Sequence, residues 1–144
     1  MSDDVLSGAD TEKRVGVVLV SHSAAVAQSV AQLATGLAGG GSTAPVTAAG
    51  GTSDGGLGTS PELVAEAAHA VDQGAGVAVL VDLGSAVLTV KALLAEGDEL
   101  PPGSRLVDAP LVEGAVAAVV AASAGADVDA VARAAEEAYD YRKV

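Results

Sequence analysis

The feature that most constrains the fold is a valine-rich run from Val15 to Val20 that ends abruptly at Ser21-His22-Ser23. Such a run is typical of a parallel strand that is buried on both faces. Helical patterning follows over 24–37, so His22 is predicted to lie between the carboxyl end of a strand and the start of a helix. Ligands bind at this edge of open α/β sheets, and free N–H groups at a helix start favour anions such as phosphate. We therefore interpret His22 as a nucleophile that accepts and passes on a phosphoryl group.

The rest of the chain alternates strand patterns with helix patterns. Strands are predicted over 44–48, 77–81 and 105–108, and helices over 24–37, 61–73, 86–95 and 110–122, with a last helix from Val128. In the first helix, the apolar stripe predicted to face the sheet comprises Val26, Val30, Leu33 and Leu37. The alternation predicts an α/β fold with a mainly parallel sheet of about four strands and helices on both faces. Residues 1–13 are expected to form a disordered tail and residues 14–144 a single domain.

The amino-acid composition limits the classes of function that this chain can have. The 144 residues carry a formal net charge of −12, which argues against a nucleic-acid surface. An acidic surface favours basic partner proteins, and solubility alone is the competing interpretation. The sequence has no cysteine, so disulfides and thiolate chemistry are excluded. It shows neither an uninterrupted apolar membrane span nor the basic start of a signal peptide, so we expect a cytoplasmic protein without membrane insertion.

A carboxylate is predicted to accompany His22, because Asp82 also follows a buried strand. An aspartate beside one imidazole nitrogen fixes the tautomer while the other nitrogen attacks, and we expect the attacking nitrogen to be the one distal to the backbone. Loops at the same edge supply candidate phosphoryl-binding donors, namely Ser23, Gly51, Thr52, Gly84 and Ser85. A histidine that only forms a structural hydrogen bond at a strand end is the competing interpretation.

Other sites have less support. His69 lies within a predicted helix among alanines and is expected to be half-exposed and without a role. No ligand spacing supports a metal site. Ser21 and Ser23 lack the Gly-x-Ser-x-Gly context of an acyl nucleophile. The glycine-rich loop 50–58 is not followed by Gly-Lys-Ser/Thr, so direct nucleotide binding is not indicated.

Four motifs together resemble a known family. They are Val-Ser-His-Ser at 20–23, Gly-Thr-Ser at 58–60, Asp-Leu-Gly-Ser-Ala at 82–86 and Ala-Pro-Leu-Val-Glu-Gly at 109–114. This set is similar to the phosphotransferase subunit of the dihydroxyacetone kinase that depends on the phosphoenolpyruvate:sugar phosphotransferase system, whose fold is that of the mannose-class IIA domain. The resemblance extends from Val15 to Ala138.

The resemblance implies a phosphohistidine carrier. His22 would take the phosphoryl group from the histidine-containing phosphocarrier protein HPr and pass it to ADP. That ADP is bound in the nucleotide-binding subunit of the kinase, so this chain itself would bind no cofactor. Asp82 matches the carboxylate beside the active histidine, Ser85 matches the hydroxyl in the following loop, and 110–114 matches a stretch that flanks the site. The family is usually dimeric. A IIA component of a sugar transporter and a non-catalytic regulatory module of the same fold remain alternatives.

Overall fold

The computed structural model describes residues 13–39 and 42–144, and residues 1–12 of the predicted tail lie outside this range. In chain order the elements are β1 (Gly16–Ser21), α1 (Ala24–Leu37), β2 (Val46–Gly50), α2 (Pro61–Ala70), β3 (Val77–Val81), α3 (Gly84–Ala95), β4 (Ser104–Val107), α4 (Leu111–Ser123) and α5 (Val128–Glu136), followed by a 3₁₀ turn at Glu137–Asp140. Within the described ranges, no helix has the length and apolar character needed to cross a membrane.

The strands that the structure describes form one sheet in the order β2-β1-β3-β4, and every neighbouring pair is parallel. The two central strands, β1 and β3, are buried at every position, as their continuous apolar sequences predict. This confirms the predicted α/β fold. Because β1 and β3 are neighbours with Val20 paired to Val81, the residues that follow them meet at one edge of the sheet.

Helices cover both faces of the sheet, because successive side chains along each strand point to opposite sides. Val17 and Leu19 of β1 belong to a core that includes residues of α1, α4 and α5. Val18 and Val20 belong to a second core with residues of α2 and α3. Alanine supplies much of the helical surface in both cores, which lets the helices approach the sheet closely.

The predicted inward stripe of α1 is wrong at three of its four positions. Val30 is buried, but Val26, Leu33 and Leu37 are exposed, and the buried face consists of Ala27, Val30 and Ala34. Both stripes have helical spacing, so periodicity does not choose between them. The small side chains face the core, where α1 packs against both the sheet and α4 and small residues allow a close approach.

Several boundaries also differ from the sequence-based prediction. β2 starts two residues later than predicted, α2 ends at Ala70 and α3 begins at Gly84 rather than Ala86. The buried face of α3 comprises Ala86, Val90 and Leu93. The early start of α3 is relevant to function because it places Ser85 within the first turn of the helix.

Candidate active site

His22 lies directly after β1 and one residue before the N-cap of α1. The strand ends here because Ser23 turns the chain, and its side chain accepts a hydrogen bond from the Val26 N–H at 3.2 Å. This bond satisfies one of the free N–H groups in the first turn of α1. Ser23 is therefore the helix cap of α1, and the phosphoryl-binding role expected of it stays a prediction.

The side chains of His22 and Asp82 form a pair. The imidazole Nδ1 lies 3.0 Å from Asp82 Oδ1, and the two side chains are 25% and 17% exposed. Since an ionised carboxylate only accepts hydrogen bonds, Nδ1 carries a proton, and in the neutral imidazole Nε2 then presents its lone pair. The structure thus brings together the predicted histidine and carboxylate, and it directs the nitrogen distal to the backbone away from Asp82.

Asp82 accepts hydrogen bonds on both carboxylate oxygens. Oδ2 accepts from the Ser21 hydroxyl and from the backbone N–H of His22, each at 2.9 Å. Oδ1 accepts from the Leu83 N–H at 2.7 Å in addition to its contact with the imidazole. Partial burial by itself raises the pKa of Asp82, but the bonds from His22, Ser21 and Leu83 outweigh it and hold that pKa below its ordinary value. Asp82 is therefore a carboxylate at neutral pH.

Ser21 is the site residue that the sequence analysis did not identify as a hydrogen-bond donor to Asp82. Its side chain is buried, donates to Asp82 Oδ2 and accepts from the Ser23 N–H at 3.1 Å. The sequence feature that could have identified Ser21 is its position. Ser21 is the last residue of β1, Asp82 directly follows β3, and these two strands are paired in register. That signal requires the strand order, which the sequence did not provide.

Ser85 lies on the other side of the imidazole. Its hydroxyl makes a hydrogen bond with Nε2 of His22, so the structure places this residue beside the distal nitrogen, and the phosphoryl-binding role expected of it stays a prediction. Gly84 and Ser85 open α3, and N–H groups in the first turn of a helix have no partner within the helix. A hydroxyl and a positive helix end thus converge on the nitrogen that would carry a phosphoryl group.

The glycine-rich loop closes over the backbone at the end of β1. Gly58 N–H donates to the His22 carbonyl at 2.9 Å, and Gly51 N–H donates to the Ser21 carbonyl at 3.2 Å. The Thr52 N–H donates to the Gly56 carbonyl at 2.9 Å. Donation from Gly51 and Thr52 to a phosphoryl group would require these bonds to break, so their expected binding role stays a prediction. The structure gives this loop a positioning role instead.

The loop can approach the backbone of Ser23 and Ala24 closely because Gly50, where the loop begins, has no side chain. A Cβ atom at this position would lie 2.5 Å from the Ser23 carbonyl oxygen and 2.6 Å from the Ala24 Cα. Gly51 next to it has φ of 73°, a conformation that glycine adopts most readily.

His69 is remote from this pair. It lies in the last turn of α2, whereas the first turn of each connecting helix is at the His22 edge of the sheet. Its side chain is exposed, and its Nε2 makes a hydrogen bond with the Glu99 carbonyl at 3.0 Å. Among the residues that the structure describes, no hydrogen bond or ion pair links it to the candidate site.

A cavity of about 380 Å³ opens beside Asp82. Its lining includes Leu83, Gly84, Asp108 and Ala109. The first residue of the Ala-Pro-Leu-Val-Glu-Gly motif, Ala109, lines this cavity, and the expectation that 110–114 flanks the site stays a prediction.

A parallel sheet covered by helices, with a histidine and an aspartate at the ends of its two central strands, defines a IIA-type phosphotransferase domain. Residues 16–132 match the family described as EIIA-man, PTS system fructose IIA component, and the chain belongs to this family. Curated relatives are phosphoryl donor subunits, DhaM, of phosphoenolpyruvate-dependent dihydroxyacetone kinases. The protein from Pantoea ananatis is 43% identical over 81% of this chain and 25% of its own length. A DhaM from Listeria innocua is 34% identical over 74% of this chain and 84% of its own length.

The first of these relatives is much longer, and this chain spans about a quarter of its length. Among solved structures, the crystal structure of a protein of unknown function matches with a TM-score of 0.75 and 29% identity, over 87% of this chain and 95% of the other. A sigma-54 interaction domain protein from Enterococcus faecalis, with a TM-score of 0.65, 18% identity and coverage of 90% and 93% of the two chains, shares the fold.

Proposed function

We propose that residues 14–144 act as a phosphohistidine carrier domain that takes a phosphoryl group from HPr and passes it to ADP held by the nucleotide-binding subunit of dihydroxyacetone kinase. The observation that carries this proposal is the hydrogen bond between His22 Nδ1 and Asp82, because it leaves Nε2 as the nucleophile. The relatives named as phosphoryl donor subunits of this kinase support the choice of acceptor.

The transfer consists of two displacements at phosphorus. The Nε2 lone pair of His22 forms an N–P bond as the N–P bond of the phosphorylated carrier breaks and its electron pair returns to the carrier's histidine. A terminal phosphate oxygen of ADP then attacks the same phosphorus, and the electron pair of the broken bond returns to Nε2. Asp82 stabilises the positive charge that develops on the imidazole in both steps.

Groups of α3 would bind the transferred phosphoryl oxygens. The Ser85 hydroxyl, which contacts Nε2 in the free protein, would donate to one of them, and the N–H groups of Gly84 and Ser85 would donate to others. Ser23, Gly51 and Thr52 are further candidates for this role.

The family description suggests a second candidate, a IIA component of a sugar transporter. Both candidates use the same histidine and differ in the acceptor. When the phosphorylated chain is mixed with ADP-loaded kinase subunit, ATP formation distinguishes them, since a transporter component would not support it.

We also infer a homodimer from the family resemblance. Sedimentation equilibrium tests this oligomeric state.

The first experiment is intact mass measurement after incubation with phosphoenolpyruvate, enzyme I and HPr. We expect one acid-labile phosphoryl adduct on the wild type and none on His22→Ala. His69→Ala is the matched control because the chain has only two histidines, and it should be phosphorylated like the wild type. An unmodified wild type in the presence of an active donor system would instead identify a non-catalytic binding module.

A further inference from the structure

The hydroxyl group of Thr59 is buried without a hydrogen-bond partner. Among the residues that the structure describes, Thr59 Oγ1 is the one buried side-chain nitrogen or oxygen atom of this kind. An unpaired buried donor destabilises a fold, and native proteins satisfy nearly all such groups. The hydroxyl of Thr59 therefore needs a physical explanation.

Neither the helix nor the sheet next to Thr59 uses this hydroxyl. Ser60 is the N-cap of α2, and its side chain accepts from the Leu63 N–H at 3.2 Å. The parallel pairing of Thr59 with Gly51, beyond the end of β2, involves backbone groups alone. A valine at position 59 would have the same branched shape and would serve equally well in both respects. The structure of the free protein thus gives the hydroxyl no function.

Thr59 adjoins two contacts that hold the backbone around His22. The residue before it, Gly58, donates its N–H to the His22 carbonyl at 2.9 Å. The residue paired with it, Gly51, donates its N–H to the Ser21 carbonyl at 3.2 Å. The unpaired hydroxyl therefore belongs to the segment that closes over the end of β1.

The Gly51 N–H is engaged in the free protein, although it is a candidate donor to the phosphoryl group. Its donation to a phosphoryl oxygen would break the bond to the Ser21 carbonyl and leave that carbonyl without this donor. Since Ser21 is buried, the loss would destabilise the phosphorylated protein unless another donor replaced Gly51. The loop can rearrange with little steric resistance, because residues 53–57 are exposed and positions 55, 56 and 58 are glycine.

We propose that Thr59 is a positioning residue for the phosphorylated state, in which its hydroxyl donates to the Ser21 carbonyl that Gly51 releases. The inference rests on the proposed function, since it concerns the protein after His22 has gained its phosphoryl group. The Thr59 hydroxyl replaces one lost backbone hydrogen bond, and the Gly51 N–H becomes available to a phosphoryl oxygen. The unpaired hydroxyl thus destabilises only the free protein.

The test compares the stability of the free and phosphorylated proteins in the same set of variants. All of them carry His69→Ala, so that His22 is the only histidine. Phosphoramidate supplies the phosphoryl group independently of any donor protein: Nε2 forms its bond to phosphorus as the P–N bond of phosphoramidate breaks and ammonia leaves. Urea unfolding at mildly alkaline pH preserves the acid-labile adduct. The readout is the phosphorylation gap, defined as the urea midpoint of the phosphorylated protein minus that of the free protein.

Thr59→Val is the informative variant, because valine keeps the branched shape and removes only the hydroxyl. Thr47→Val is the matched control, since the part-buried Thr47 hydroxyl donates to the Ala67 carbonyl at 3.0 Å. We expect Thr59→Val to leave the midpoint of the free protein unchanged or higher, and to lower that of the phosphorylated protein by about 0.5 M urea. Thr47→Val should lower both midpoints equally. Thr59→Ser retains the hydroxyl and should keep the parental gap.

A phosphorylation gap that Thr59→Val does not reduce would overturn the inference and leave the proposed carrier function standing. So would a free Thr59→Val protein as destabilised as free Thr47→Val, since the hydroxyl would then have a partner before phosphorylation. A gap reduced equally in Thr59→Ser would also overturn it, because the hydroxyl would not be the group responsible.

Two further outcomes separate this inference from the proposed function. An adduct on His22 from phosphoramidate but not from phosphorylated HPr would overturn the proposed donor, and the phosphorylation gap would still decide the role of Thr59. No adduct from either donor would overturn the proposed function and the inference together.

Discussion

The Ser21 hydroxyl donates a hydrogen bond to Asp82 Oδ2 over 2.9 Å, on the side of the carboxylate that faces away from the imidazole nitrogen. Ser21 is buried at the end of β1, so this bond is shielded from water. It fixes the orientation of the carboxylate, and Oδ1 is thereby directed to His22 Nδ1. The proton on Nδ1, and hence the lone pair on Nε2, therefore depends on Ser21, a residue that would not touch the phosphoryl group.

Replacing Ser21 by alanine tests this relationship. Ser21→Ala removes one of the hydrogen bonds that hold the pKa of Asp82 down, so we expect that pKa to rise towards its ordinary value of 3.8. Carboxyl-carbon NMR of Asp82 during an acid titration measures the change directly. An unaltered Asp82 titration would contradict the role assigned to the Ser21 hydroxyl.

The same variant has a predictable effect on acid stability. Because the folded-state pKa of Asp82 is depressed, its ionised form stabilises the fold above the ordinary value, and this contribution is lost as pH falls through the folded pKa. In Ser21→Ala the folded pKa is less depressed, so this contribution should be smaller and its loss should be complete at a higher pH. Ser123→Ala is the control, because Ser123 also accepts a backbone hydrogen bond, from Ala44 at 2.8 Å, far from the carboxylate. Each variant should lose about 1 kcal/mol of stability at neutral pH. The deficit of Ser21→Ala relative to the wild type should shrink as the pH falls through the folded pKa of Asp82, whereas that of Ser123→Ala should stay constant.

Asp82→Asn separates the charge of the aspartate from its shape. The amide keeps most of the volume but has no negative charge to stabilise the imidazole as the N–P bond forms. We expect the rate of phosphoryl transfer from HPr to fall about a hundredfold. The melting temperature should also fall, because the amide NH2 group replaces one of two oxygens that accept hydrogen bonds. Rapid-quench measurement of the adduct gives the rate, and wild-type kinetics in Asp82→Asn would refute the orienting role.

The sequence predicted the His22–Asp82 pair because parallel strands that end at the same edge bring their next residues together. It did not predict that β1 and β3 are direct neighbours, and the contribution of Ser21 depends on that adjacency. The sequence identified residues 50–58 as a glycine-rich loop. The hydrogen bonds of this loop could not be predicted, because a glycine-rich segment can adopt many backbone conformations. The stripe of α1 was misassigned because alanine-rich helices bury their small residues, whereas pattern analysis favours leucine and valine.

Ser85→Ala tests the group on the reactive side of the imidazole. In the free protein the Ser85 hydroxyl contacts Nε2, and in the transfer it would donate to a phosphoryl oxygen. Its removal should slow phosphorylation about tenfold through loss of one hydrogen bond to a charged group. Ser85→Thr retains the hydroxyl and should recover most of the rate. Equal rates for the wild type and Ser85→Ala would exclude hydroxyl participation.

Gly50→Ala tests whether the close approach of β2 to the start of α1 is required for the site. The added methyl group would overlap the Ser23 carbonyl and the Ala24 Cα, both of which are backbone atoms that cannot rotate away. We expect a loss of about 1–3 kcal/mol in stability, together with slower phosphorylation, because Ser23 adjoins His22.

Gly36→Ala is the matched control for this substitution. Gly36 lies inside α1, where an added Cβ would meet nothing within 4 Å. Alanine at this position should stabilise the protein by about 0.5–1 kcal/mol, since glycine is the poorer helix former. Thermal unfolding of the two variants should therefore change in opposite directions. If Gly50→Ala were as stable and as readily phosphorylated as the wild type, the contact between the end of β2 and the start of α1 would have no part in positioning His22.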